Sequence, residues 1–150
     1  MASVVRPESP EPRISILNMT PRPILRGLLA LFFIIAGANH FRTPEIYLGM
    51  MPAWLPRPEV MNEISGAAEM LGGLGLLIPQ TRRLAGWGLI ALLVAVFPAN
   101  LHVAWQGRMP GTNFPPLALW LRLPFQAVLI AWVWLVALSR QATSSPPPAV

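Results

Sequence analysis

Residues 84–105 read LAGWGLIALLVAVFPANLHVAW, a run without a single charged side chain. About 20 predominantly apolar residues are enough to cross a bilayer core as a helix. Lipid offers no partner to an open sheet edge, so a helix is the reading that satisfies the backbone of such a run. Its far end is the informative part. Pro98, Asn100 and His102 arrive before the apolar character has run out. A helix breaker, an amide and an imidazole are costly in hydrocarbon unless they face other protein groups.

Three more stretches have the same character: Ile24–Phe41 behind Pro23, Met61–Ile78 closed by Pro79, and Leu117–Leu138. With Leu84–Val103 they make four candidate spans. None carries a polar face along its length, as an ordinary surface helix of a soluble domain would. The expected fold is therefore all-α, an integral membrane four-helix bundle over residues 23–139. A disordered or interfacial tail over 1–22 precedes it, and a Ser/Pro-rich tail over 140–150 follows. The longest connection, RTPEIYLGMMPAWLPRPEV (42–60), holds four prolines. It reads equally as an interfacial segment over the mouth of the bundle or as an extended surface loop.

Composition points the same way. Hydrophobic residues make up 54% and charged residues 11%, where a soluble domain carries about a quarter charged. The cations are all Arg, the anions all Glu, and the net charge is +5. The arginines do not form a nucleic-acid-binding cluster; near helix ends they suit an anionic lipid surface. Cysteine is absent, which excludes disulfides, thiolate metal sites and a Cys nucleophile. The first 22 residues have no apolar run after the early Arg, so no cleavable signal peptide is expected. Four spans place both termini on one side. Arg6, Arg13, Arg22, Arg26, Arg82, Arg83 and Arg140 lie on that side, against Arg42, Arg57 and Arg108 on the other. The positive-inside rule then puts both termini in the cytoplasm. The Asn18-Met19-Thr20 sequon falls on the cytoplasmic side and is expected to stay unmodified. Tyr47, Trp54, Trp105 and Trp120 fall near the outer interface and Trp87 near the inner one.

With this orientation every span delivers its polar side chains to the outer half. Asn39 and His40 end the first; Asn62, Glu63 and Ser65 start the second; Asn100 and His102 end the third; Arg122 and Gln126 lie early in the fourth. Glu69 lies deepest, about 12 Å into its span at 1.5 Å per residue. Asn62, Ser65 and Glu69 share one helix face by their i, i+3, i+7 spacing, and Glu63 is rotated off it. Arg122 is expected to pair with Glu69, or with Glu63 nearer the surface. That pair fits a purely structural role as well as a ligand-facing one. Asn100 fits a ligand role or the satisfaction of carbonyls freed by Pro98. His40 and His102 read as interfacial residues; no HxxxH or ExxH spacing supports a metal, and none is expected. Asn100 and His102 are two apart and point to opposite sides of a helix. The stripes Ala91/Ala95/Ala99 and Ala68/Gly72 read as close-packing surfaces. No GxGxxG after a strand, Walker loop, HExxH or GxSxG is present.

GANHF (37–41), PAWLP (52–56), SGAAEMLGGLGLL (65–77), RRLAGWGLIALLVAVFPANLHVA (82–104) and RLPFQ (122–126) together resemble the DoxX-like family of small membrane proteins. The resemblance covers roughly residues 24–138 and rests on SGxxE, FPAN and RLPxQ in that order. It implies four transmembrane helices in a bacterial inner membrane, with motif positions at His40, Ser65, Gly66, Glu69, Pro98, Asn100, Arg122 and Gln126. The family takes its name from a subunit of a thiosulfate–quinone oxidoreductase; other members are implied in oxidative-stress complexes or assembly. The expected function is binding of a quinone or other small ligand in an outward-facing polar pocket, as a subunit of a membrane redox complex. Glu69, Arg122, Asn100, Gln126, His40 and Ser65 are the candidate ligand-binding residues. Quinone is the candidate cofactor; no residue is assigned as catalytic, and whether the chain is an enzyme stays open. A non-enzymatic scaffold or assembly factor is the alternative, and a small transporter the third reading. Expected partners are the lipid bilayer and a membrane redox partner or a second copy of the chain, with no nucleic acid. Without cysteine, any thiol step would occur on a partner.

Overall fold

In the computed structural model, residues 21–109 and 111–139 are described; of the tails expected over 1–22 and 140–150, residues 1–20 and 140–150, with the 18–20 sequon, lie outside them, and Arg22 already belongs to the first helix. All regular structure among the described residues is helical, without strands. In order it forms α1 (Arg22–Arg42), α2 (Pro44–Leu48), α3 (Pro58–Leu77), α4 (Arg82–Gln106) and α5 (Pro116–Val133), which runs into a π-helical turn, Trp134–Leu138. Each expected span recurs as a helix. α1, α4 and α5 with its π-turn are long and apolar enough to cross a membrane. α3 is not, because Asn62, Glu63, Ser65 and Glu69 sit among its apolar residues.

Proline marks the helix starts. α1, α2, α3 and α5 each have Pro in the first two positions, where its fixed φ suits a helix and its missing N–H costs nothing. Pro79 stops α3, whose next residue, Ile78, is already extended, as the position before a proline prefers. The carbonyls left open there are taken by the next helix. Thr81 Oγ1 donates to Gly75 O (3.1 Å) and Arg82 Nε to Leu76 O (3.3 Å). α4 ends on Gly107 at φ 67, a left-handed cap that glycine adopts without strain.

Consecutive long helices run antiparallel and pack in chain order, α1 on α3, α3 on α4, α4 on α5; the π-turn closes back onto α1. Neither α4 nor the body of α5 makes an extended contact with α1. The closest approach is between α1 and α3. A Cβ at Gly37 would stand 2.5 Å from Gly66 O, one at Gly66 2.6 Å from His40 Cβ, and one at Gly73 2.8 Å from Ala30 O. Small residues do set this packing, though not all on the expected stripes. Gly72 lies tight against Leu89, but Ala91 and Ala95 are exposed. The buried face of α4 is Gly86, Leu89 and Leu93 instead, because neighbours lie on that side only.

The main apolar core, Leu29, Phe33, Leu76, Leu89, Leu129, Val133 and Val136 among others, fills the half of the structure away from the polar side chains. A second cluster, Met50, Val103, Met109 and Leu119, caps the other end, where the α1–α3 and α4–α5 connections fold over the helices. Replacing Gly66 by Leu should lower the thermal unfolding temperature in detergent by the equivalent of about 1–3 kcal/mol or more, the usual range for overpacking. Gly88 faces open space, and a Cβ there would meet nothing within 4 Å. It should accept Ala with no loss of stability in the same measurement.

Candidate functional site

The polar residues singled out in the sequence do converge on one end of the structure. His40 is the anchor. It is buried, because α1 continues to Arg42 and the following connection folds back over it. Asn62 holds it from α3. Asn62 Nδ2 donates to His40 O (2.9 Å), which turns the amide so that Oδ1 faces His40 Nδ1 at 2.8 Å. An amide oxygen only accepts, so Nδ1 carries a proton. His40 Nε2 then faces Glu69 Oε2 at 3.8 Å. That carboxylate oxygen is buried and has no hydrogen-bond partner. An ionised Glu69 opposite an unprotonated Nε2 would set a bare oxygen against a ring lone pair; one proton between the two relieves both.

Tyr47, on α2, stacks on the His40 ring with centroids 3.7 Å apart and planes at 27°. Burial pushes its phenol above the usual range, Glu69 adds to this and Arg122 opposes it. The hydroxyl is therefore a hydrogen-bond donor at neutral pH, near both ionisable groups.

Arg122 does not pair with Glu69 or with Glu63. Glu69 sits against His40, and Glu63 is exposed. The Arg122 guanidinium instead lies on two thioethers, with Nη1 3.1 Å from Met109 Sδ and Nη2 3.9 Å from Met50 Sδ. Thioether sulfur is a weak acceptor. Both methionines belong to the end cap, so the connecting segments decide where this arginine rests.

On the remaining side, Asn100 Nδ2 donates to Gln126 Oε1 (3.1 Å), and Gln126 Nε2 donates to Leu93 O. Asn100 thus bonds a side chain, not a carbonyl freed by Pro98. It is Gln126, from the next helix, that reaches the α4 backbone, one residue before Val94, whose usual helical partner would be the Pro98 N–H. His102 points away and pairs with Gln106 (2.9 Å), in keeping with its two-residue offset from Asn100. Among the described residues no group of three His, Asp or Glu is placed to hold a metal.

These groups line one cavity of ≈ 320 Å³. His40, Tyr47, Ser65, Glu69, Asn100, Arg122 and Gln126 supply its polar lining; Phe32, Phe33, Leu93, Val96, Phe125 and Leu129 its apolar walls. All six candidate ligand residues reach it. Tyr47, Met50 and Phe125 are additions. In sequence Tyr47 looks like one more interfacial aromatic, and only the folding of 42–60 over the helix ends brings it onto His40. That observation decides between the two readings of this segment in favour of a cover over the mouth. Replacing Asn62 by Leu should remove both contacts that set the His40 ring. The expected readout is a shift of the His40 ring nitrogen resonances away from the Nδ1–H tautomer, with a stability loss of about 1–3 kcal/mol.

Residues 29–137, from within α1 to the π-turn, match a family described as Domain of unknown function (DUF8561). That description assigns no activity and makes no connection to the DoxX-like proteins. No curated protein matches the chain, and no solved structure does. With the match extending over most of its length and through every helix of the fold, the chain belongs to the DUF8561 family.

Proposed function

We propose that the chain is a DoxX-like four-helix membrane protein with both termini in the bacterial cytoplasm, and that its cavity binds a quinone or another small amphipathic ligand. α3 would cross with the others because Ser65 and Glu69 face the cavity, Asn62 is buried against His40, and the exposed Glu63 lies near its outer end. The observation that carries the reading is the cavity itself: a set of polar side chains continuous with an aromatic and aliphatic wall, the usual composition of a small-molecule site. The lining suits a ring with carbonyl groups. Tyr47 and Arg122 offer donors to an oxygen, Glu69 and His40 share a proton beside it, and Phe32, Phe33 and Phe125 offer faces to a ring. A bound quinone would supply acceptance of electrons and protons, which the chain's own residues do not. The chain's part is to bind the head group, exclude water and hold a proton between Glu69 and His40. Service as a subunit of a membrane redox complex accords with this, since such a chain needs an electron-transferring partner.

A scaffold or assembly role has one observation in its favour. The Ala91/Ala95 face of α4 is left unpacked within the chain, and small-residue stripes are common helix–helix contact surfaces in lipid. Mass spectrometry of an organic extract separates the two. Wild-type protein should yield a small molecule near one per chain, and Glu69→Gln at least about tenfold less, a loss of roughly 1.4 kcal/mol in binding. Bulk lipid alone in both samples, with a stoichiometric protein partner co-purifying, would move the assignment to the scaffold.

A further inference from the structure

The charges around the cavity select among its possible ligands. Its lining holds four ionisable side chains, His40, Tyr47, Glu69 and Arg122. The first and third face each other at 3.8 Å; with one proton between them, which relieves the buried unpartnered oxygen, they are together neutral. Tyr47 is a neutral phenol at ordinary pH. Arg122 is left as a net positive charge, because a guanidinium does not give up its proton in a protein. Among the described residues it has no carboxylate partner, only the sulfurs of Met50 and Met109. A cation held half-buried on thioethers lacks the partner that such charges normally have. A bidentate anion is the group that best matches its planar fork.

The shape says where the rest of the ligand lies. The end of the structure beside Arg122 is covered by the cluster of Met50, Val103, Met109 and Leu119, and the sulfurs of Met50 and Met109 touch its guanidinium. The side is not covered in this way. α1 packs on the π-turn at the far end, while the bodies of α1 and α5 make no extended contact. Across that gap Phe32 and Phe125 approach edge to face, centroids 6.1 Å apart. Both rings line the cavity, and both are exposed, Phe32 by 39% and Phe125 by 50%. They stand where the bodies of α1 and α5 come apart.

We propose that the cavity takes an acidic amphiphile, with a monoanionic head group of carboxylate type on Arg122 and an apolar chain leading out between α1 and α5 past Phe32 and Phe125. This rests on reading the cavity as a small-ligand site and replaces the neutral quinone with an anion as its preferred occupant. Access is from the side, through the apolar phase, so a chain that partitions into lipid meets the opening directly.

The test uses purified full-length protein in lipid nanodiscs, with empty nanodiscs as blank and radiolabelled laurate as probe. Laurate should saturate near one per chain. Dodecanol, with the same chain and no charge, should compete at least about tenfold more weakly. Arg122→Gln should abolish this preference, and Arg122→Lys should keep most of it. Equal competition by dodecanol on the wild-type protein would overturn the proposal without reference to any variant. Saturable binding of decylubiquinone with none of laurate would also overturn it, while leaving the small-ligand reading intact. Binding of neither would remove both.

Discussion

The close approach of α1 and α3 is the constraint on which the rest of the structure depends. Gly37 and Gly66 bring the two backbones so near that a methyl group on either would collide with the other helix. At that separation the short Asn62 side chain can reach across to both the carbonyl and the ring of His40. Widen the pair by one side-chain layer and both bonds are lost, the imidazole is free to turn, and Glu69 has no proton-sharing neighbour. A packing feature and a chemical one are thus the same feature. The glycines are not there to loosen the helices; they set a distance.

The opposite pair of helices shows the complementary arrangement. α1 and α5 are held apart along their bodies, and the space between them is the cavity. Two prolines stand at this level, Pro98 within α4 and Pro124 within α5. Each removes one helical hydrogen bond, and Gln126 brings a side-chain donor to the α4 backbone nearby. Polar side chains placed so deep are satisfied mainly by one another: His40 by Asn62, Asn100 by Gln126. Glu69 and Arg122 are the two that depart from this pattern. One has an oxygen without a hydrogen-bond partner, and the other rests on sulfur. Both are groups with interactions left to make, and both border the same space; the other buried atoms without a partner, Arg26 Nε and Trp132 Nε1, do not line it.

What the sequence by itself determined is the set of elements and the end at which the polar groups gather. Apolar runs of span length, broken by Pro79 and started by Pro23 and Pro116, have one backbone solution in each case, and the observed helices follow them closely. Short connections make neighbours antiparallel, so alternating chain directions put His40, Asn62, Asn100 and Gln126 at one level. The helical period likewise separated Glu63 from Glu69 and His102 from Asn100. These are local properties, settled by 1.5 Å of rise and 100° of turn per residue.

Only the tertiary structure decided who pairs with whom. Opposite charge suggested Glu69 with Arg122, but helix order put His40 beside Glu69, while the end cap drew Arg122 onto Met109 and Met50. Tyr47 was invisible as a site residue because its position on His40 depends on how a proline-rich connection folds over four helix ends. The alanine stripe on α4 failed as a guide for a related reason: a small residue permits close approach, but whether a neighbour lies on that side is a matter of helix arrangement. Pairing depends on distances between elements far apart in the chain, and no periodicity within one element carries that information.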